Sequence, residues 1–508
     1  MPGLQSTSEP RVGAVLDAAA VDAMVREAVP KALPPYLPGQ RWFGEKDRAV
    51  TAAAVSDAAV VQLDADWVAL VIVRLNLDGG EEAEYFVPLA LVTEAPAATP
   101  VLAGVETACG RRVLVDALKT TPFRRWCLHQ LRSGQTLTGE RGRFLWEPLP
   151  GLDERFAAAS ATAPELVSAE QSNSSIRYDD AVFLKVFRRL RPGTNPDEEI
   201  GRYLADRTTF RRLPLPLAAA RYADPGGDNY QIALAQSFEP NLGDGWSFTL
   251  RLLTSSPAEL LRPLSGLGSR TAQLHLALGQ ESDDPAFCPE VVSAEDAHRW
   301  ESALRSRITD TVSALQRRGP ELDPTLADGI ALLGERVPDL ERRAAGFRAA
   351  VGSRAIRVHG DYHLGQVLRT PDGDWIILDF EGEPARPIAE RRAKSSPLKD
   401  VAGMLRSLGY ARSAALRAAG NGEADAATLQ AWDAAARAAF LAGYGATLAA
   451  DRLGLVPDDD ADFRAALEAW ELDKAVYELG YELNNRPDWV GHALGTLLGD
   501  QPLTDAGH

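Results

Sequence analysis

The chain has 508 residues, 45% of them hydrophobic and 25% charged, and 54 Lys and Arg against 71 Asp and Glu leave a net charge of -17. That balance belongs to globular proteins, and an acidic surface repels phosphate backbones and anionic lipid, so neither nucleic acid nor membrane is an expected partner. The length predicts roughly two to four structural units.

Residues 1–10 have neither a basic start nor an apolar stretch, so no signal peptide is expected. The most apolar run, 67–73, is far shorter than the roughly 20 residues that span a bilayer. The cysteines Cys109, Cys127 and Cys288 form no CxxC pair, which predicts reduced thiols in a cytoplasmic protein.

The spacing predicts a helix over 14–32 with Leu16, Val21, Met24 and Val25 inward, then Gln40-Arg41-Trp42-Phe43-Gly44 after a Pro-rich turn. Short β-branched runs at 60–63 and 68–75 predict strands, broken by the Gly79-Gly80 turn. A second strand-rich stretch covers about 165–236, with strands at 181–187 and 230–235 and a helix over 197–205. Beyond Asp244 helical spacing dominates, at 257–278, 294–317, 340–350, 426–448 and 463–484. Only 356–359 and 375–380 read as strands there. The expected plan is α+β and two-lobed, divided at 1–105, 106–240 and 241–508.

His359-Gly360-Asp361-Tyr362-His363-Leu364-Gly365-Gln366, followed by Leu378-Asp379-Phe380-Glu381, carries the clearest chemistry. Phosphoryl transfer to an alcohol needs a carboxylate beside the acceptor hydroxyl and oxygen ligands for Mg²⁺. Asp361 fits the first role. Gln366, five residues on, and Asp379, which precedes a Phe on a later strand, fit the second. Either Asp alone would as readily be a turn or strand-end cap. His359, Asp361 and His363 also alternate, so on a strand they would share a face and seat a transition metal, as in a metal-dependent hydrolase. No ligand pair among the other histidines supports that alternative.

Upstream, Glu170-Gln171-Ser172-Asn173-Ser174-Ser175 joins two strand candidates. A small polar loop offers N–H groups and hydroxyls to phosphates, although polar hairpin loops are common and this is no Walker A sequence. Lys185 stands among Phe183, Leu184, Val186 and Phe187 and needs an anionic partner. Phosphate oxygens with a helical carboxylate would supply one, and Glu199 is preferred over Glu198. Near the end, Lys474, Tyr477, Glu478 and Tyr481 share a helix face that suits a sugar, or else a solvated face with local ion pairs.

These motifs resemble the bacterial maltokinases, in the aminoglycoside-phosphotransferase-like branch of the protein-kinase fold. The likeness includes 40–44, 170–175, 184–189, 270–275, 359–366, 379–384, 396–407, 471–482 and 486–489. It implies an N-terminal cap unit, a sheet lobe binding ATP and a helical lobe binding the sugar, with Mg²⁺. It implies phosphorylation of maltose to maltose 1-phosphate, a precursor for α-glucan synthesis, and a functional link to trehalose synthase. It also adds Gln236 and Phe238 of a hinge-like stretch to the nucleotide site, and His363, Glu381, Asp400 and Arg406 to the sugar site. The stretches at 234–240 and 489–494 depart from the family pattern, and related kinases of this branch phosphorylate glucosamine instead. A catalytically inactive kinase-shaped binding protein is the remaining alternative; retention of Lys185, Asp361, Gln366 and Asp379 argues against it.

Overall fold

The computed structural model describes residues 16–499, apart from 47, 108–109, 150–153, 168–172, 385, 421–422 and 451–452. The chain divides into two compact units, one of residues 1–195 and 215–239, the other of 196–214 and 240–508.

The first unit begins with a helix, Ala18–Tyr36, whose start is capped by Asp17 accepting from the Ala20 amide at 2.8 Å. Val21, Val25, Val29 and Leu33 recur every four residues and form its buried stripe; Leu16 and Met24, expected inward, are half-buried beside it. This stripe packs on an antiparallel sheet of β1 (Val50–Leu63), β2 (Asp66–Leu77), β3 (Glu82–Phe86), β4 (Leu89–Val92), β5 (Ala103–Thr107) and β6 (Gly110–Asp116). Alternate residues of β2 serve two cores. Val71, Val73 and Leu75 face the helix, while Val68, Leu70 and Ile72 join the core of the second sheet. A strand covered on both faces reads as a continuous apolar run, which is what residues 67–73 are.

The second sheet holds β7 (Thr136–Thr138), β8 (Arg143–Pro148), β9 (Glu165–Val167), β10 (Asn173–Tyr178), β11 (Val182–Phe187), β12 (Pro216–Ala223) and β13 (Asn229–Ser237). Its order is β7-β8-β12-β13-β11-β10-β9. A helix unanticipated from sequence, Thr121–Ser133, contributes Phe123, Cys127, Leu128 and Leu131 to its core. The two sheets also meet through backbone. The Phe86 amide donates to the Arg188 carbonyl at 2.7 Å and the Leu190 amide to the Glu84 carbonyl at 2.8 Å. The first sheet runs to Asp116, past the boundary expected at 105.

The second unit is helical: Pro196–Arg207, Leu261–Leu278, Ala294–Arg318, Ala327–Ala344, Leu398–Ala418, Glu423–Leu448 and Asp460–Asn485 are its long helices. Pro196–Arg207 lies here although the boundary expected at 240 put it with the strands. Tyr203 stacks on Phe287, and Glu199 ion-pairs within this unit. Residues 345–350 wind as a 3₁₀ helix, and 356–359, expected as a strand, form only an isolated bridge from Ile356 to Ser395 among the described residues. The hairpin that interrupts the helices pairs Val367–Arg369 with Trp375–Ile377; its second arm falls within the strand expected at 375–380, whereas its first lies beyond the one expected at 356–359. Among the described residues no helix is long and apolar enough to cross a membrane.

Candidate active site

The His359–Gln366 segment is held in place from beneath. Asp400, in the first turn of Leu398–Ala418, accepts from the His359 amide at 2.8 Å and from the Gly360 amide at 2.9 Å. Its Oδ2 also meets His275 Nε2 at 3.1 Å, and His275 Nδ1 meets the Tyr444 hydroxyl at 3.0 Å. Burial alone would raise the Asp400 carboxyl, but the His275 bond, nearby His359 and the Gly360 amide hold it below the usual carboxylate range. Two glycines make the approach possible. Gly360 has φ +84°, and a Cβ on Gly403 would lie 2.5 Å from the Tyr362 carbonyl. Expected among the sugar ligands, Asp400 is instead a buried support for the loop.

His359 links the two halves of the motif. Its Nδ1 accepts from the Asp361 amide at 3.3 Å and its Nε2 lies 2.9 Å from the Leu378 carbonyl. The network assigns the proton to Nε2. The ring thus ties the Asp361 turn to the residue preceding Asp379, and both its nitrogens are used. His363 accepts from the Gly365 amide at 3.0 Å, and burial lowers its pKa, so it is neutral. With these bonds, His359 and His363 do not converge with Asp361 as a metal site, which removes the observation behind the hydrolase alternative.

Asp361 faces Lys474. The ammonium donates to Asp361 Oδ1 at 2.9 Å and to Glu383 Oε1 at 2.8 Å. Burial opposes its charge, but Asp361 and Glu383 overcome that and raise the pKa well above the ordinary lysine value. Burial would raise Glu383, yet Lys474, Lys399 and Arg386 hold its carboxyl far below the usual range. Arg386 bonds Glu383 and reaches Asp473 at 3.4 Å, and Asp473 also bonds Arg307. The Tyr477 ring lies 5.1 Å from the Lys474 ammonium and 5.5 Å from the Arg386 guanidinium. Arg406 donates to Glu478 Oε2 at 2.7 Å and 3.0 Å, so these two expected sugar ligands neutralise each other. Glu383, Asp473 and Lys399 were not expected at this site. Their signal was the density of charge in two apolar helices and one Gly/Pro loop, but which charges meet depends on chain crossing.

The Gln366 amide nitrogen donates to Asp379 Oδ2 at 2.8 Å. Asp379 takes φ +68°, a left-handed conformation costly for a non-glycine residue and frequent at functional sites. Ligand atoms of Asp197, Asp379 and Glu381 lie within 4.8 Å of one another. Asp197 additionally accepts from the Phe380 amide at 3.0 Å. An all-oxygen set of this kind fits a hard divalent cation. Glu381, expected among the sugar ligands, stands in this group instead, and Asp197 went unnoticed in the sequence.

In the first unit, Ser175 is registered opposite Lys185 across β10 and β11. Both are buried, and among the described residues the Ser175 hydroxyl has no hydrogen-bond partner, a state that a phosphate oxygen would relieve. Asn173 shares the Ser175 face by alternation; Ser174 points the other way and accepts from Arg188 Nε at 2.9 Å. Gln171 and Ser172 lie outside the described residues. Gln236 is buried in β13 opposite Phe183, and Phe238 donates its amide to the Ala181 carbonyl at 2.9 Å. Glu199 is not free for the role expected of it beside Lys185. Its carboxylate takes Arg392 at 2.7 Å and 3.0 Å and Arg357 at 2.9 Å.

Residues 36–119 match the maltokinase N-terminal cap domain family. The chain is 30% identical over 365 residues to a glucosamine kinase of Streptacidiphilus jiangxiensis, covering 70% of this chain and 76% of the relative. It is 27% identical over 344 residues to a glucosamine kinase of Mycolicibacterium smegmatis, covering 66% and 79%. A solved glucosamine kinase structure, crystal form B, superposes with a TM-score of 0.63 at 23% identity over 93% of this chain and 98% of that one. A glucosamine kinase in complex with glucosamine, ADP and inorganic phosphate gives 0.60 at 23% over 94% and 99%. The fold is thus the α+β, bilobal kinase-like one with an N-terminal cap. Taken with the acid, amide and carboxylate assembled by the 359–381 segment, these likenesses place the chain in the maltokinase and aminoglycoside-phosphotransferase-like kinase family, and it is a sugar kinase.

Proposed function

We propose that this kinase transfers the γ-phosphoryl group of ATP to a hydroxyl of glucosamine. The observation that carries the chemistry is the Asp361 turn, tied by His359 to the strand end bearing Asp379. In this reading Asp361 orients the acceptor hydroxyl and takes its proton as the sugar oxygen bonds phosphorus and the bond to the β-phosphate oxygen breaks. Asn173, Ser175 and Lys185 serve the phosphates. Asp379 and Glu381, with Asp197 and Gln366 beside them, would hold Mg²⁺, which supplies charge neutralisation on the phosphate oxygens when bound. Lys474 fixes Asp361 in direction through its 2.9 Å bond to Oδ1.

The choice of glucosamine rests on the two curated relatives bearing that activity in their names, matched over about two thirds of this chain or more. Charge is compatible with it. Asp361 and Glu383 already share one ammonium, that of Lys474, so this wall accepts cations. Maltose is the second reading, favoured by the cap match over 36–119, a segment that contains none of the residues assigned above to the chemistry.

ADP release by the purified protein, with ATP, Mg²⁺ and a panel of glucosamine, maltose and glucose, tests the choice. Glucosamine is expected to lead in kcat/KM by tenfold or more, about 1.4 kcal/mol of transition-state binding. A tenfold lead for maltose would overturn glucosamine and leave the kinase chemistry standing.

A further inference from the structure

The function of the cap is unassigned by the chemistry above, and so is the Gln40–Gly44 motif. Both converge on one side chain. Arg188 stands three residues after Lys185 on the same chain segment, and its guanidinium is fully buried. Nη2 donates to Asp116 at the end of β6 at 2.7 Å, and Nε donates to Ser174 on β10 at 2.9 Å. Nη1 makes no hydrogen bond among the described residues; the guanidinium carbon instead lies 4.6 Å from the centre of the Trp42 ring. The neighbouring residue is held too. Arg189 ion-pairs with Glu45 at 2.7 Å, and Glu45 bonds the Tyr85 hydroxyl, which accepts from the Gly44 amide at 3.2 Å.

We propose that Arg188 is a positioning residue for the nucleotide, through which Trp42 and Asp116 of the cap hold β10 in register with Lys185. Alternation is the physical reason. Ser174 lies on the face of β10 opposite Ser175, and Arg188, one residue past β11, bonds it from that face, so a bond on the cap side sets where Asn173 and Ser175 present themselves on the other. Planarity is the reason for arginine. A guanidinium offers two directed N–H bonds while laying its face on an indole, and an ammonium does not. The cap then acts on the nucleotide without touching it, and this rests on the reading of β10 and β11 as the phosphate site.

The test is steady-state kinetics with ATP and sugar varied separately, and the shift of melting temperature by ATP alone, on the full chain. Ser174→Ala and Arg188→Lys are each expected to raise KM for ATP roughly five- to tenfold, the scale of one lost hydrogen bond, with sugar KM and kcat nearly unchanged. The double variant is expected to add little to Arg188→Lys alone, because that substitution already breaks the bond to Ser174. Trp42→Phe, which keeps a ring face, is expected to stay near wild type. Unchanged KM for ATP in folded Ser174→Ala, equal rises for ATP and sugar, or fully additive effects would each overturn the proposal. Ser174→Ala loses only a hydroxyl, so it decides the matter even if Arg188→Lys fails to fold. Lys185→Ala separates the two readings. If it binds ATP normally, the phosphate site itself is misplaced; if it loses ATP while Ser174→Ala does not, only the positioning role fails.

Discussion

Two buried ion-pair centres, one in each unit, behave differently by construction. Arg188 and Asp116 are each 1% exposed, and an aromatic face closes the remaining side of the cation. Lys474 and Asp361 are 14% and 20% exposed, with only Glu383, at 2%, sealed. The first centre is closed on all sides and serves as a fastening. The second leaves one carboxylate reachable, which is what a proton acceptor for an incoming hydroxyl requires. Burial of a charge pair is therefore no sign of function by itself; the partly open member is.

The largest effect expected from breaking the second centre is on turnover. Asp361→Asn keeps the shape and loses the charge, and kcat is expected to fall roughly 10²–10⁴-fold with the ATP-induced melting shift retained. Near-wild-type turnover would remove Asp361 from the chemistry. Chelation sharpens the same comparison. EDTA should abolish activity and Mg²⁺ restore it, and Asp379→Asn should raise the Mg²⁺ concentration needed for half-activity. Activity that survived chelation would sink the assignment of Asp379 and Glu381 to a cation.

The last effect leaves turnover aside and concerns stability and its pH dependence. Lys474→Met leaves Glu383 buried without its ammonium and is expected to cost about 3–5 kcal/mol near neutral pH. The Glu383 carboxyl is depressed in the folded protein below its ordinary 4.5. Its stabilisation is therefore present above that ordinary value and lost as pH falls through the folded one. The gap in stability between wild type and Lys474→Met should thus be full at pH 7 and shrink below about pH 4.5, where the unfolded carboxyl takes up its proton. Paired denaturant curves at pH 7 and pH 4 measure it; a constant gap would mean that Lys474 acts through packing alone.

Local pattern determined much of this protein before any folding. The apolar run at 67–73, the spacing from Asp361 to Gln366, the lone Lys185 in its strand and the helical periods beyond Asp244 each express a period or a spacing along the chain. Such features survive in sequence because residues a few positions apart share a face by geometry alone. Tertiary structure decided the partners. Glu199 went to Arg357 and Arg392, Asp400 turned its carboxylate to the loop's amides, and Asp116 crossed from a different sheet to meet Arg188. Buried charged groups must find partners somewhere, and some stand far off in sequence: 41 positions separate Asp400 from the His359 amide and 193 separate Glu199 from Arg392. Which carboxylate becomes the base, which a support and which a fastening is set by what remains exposed after those pairings, and no spacing along the chain encodes that.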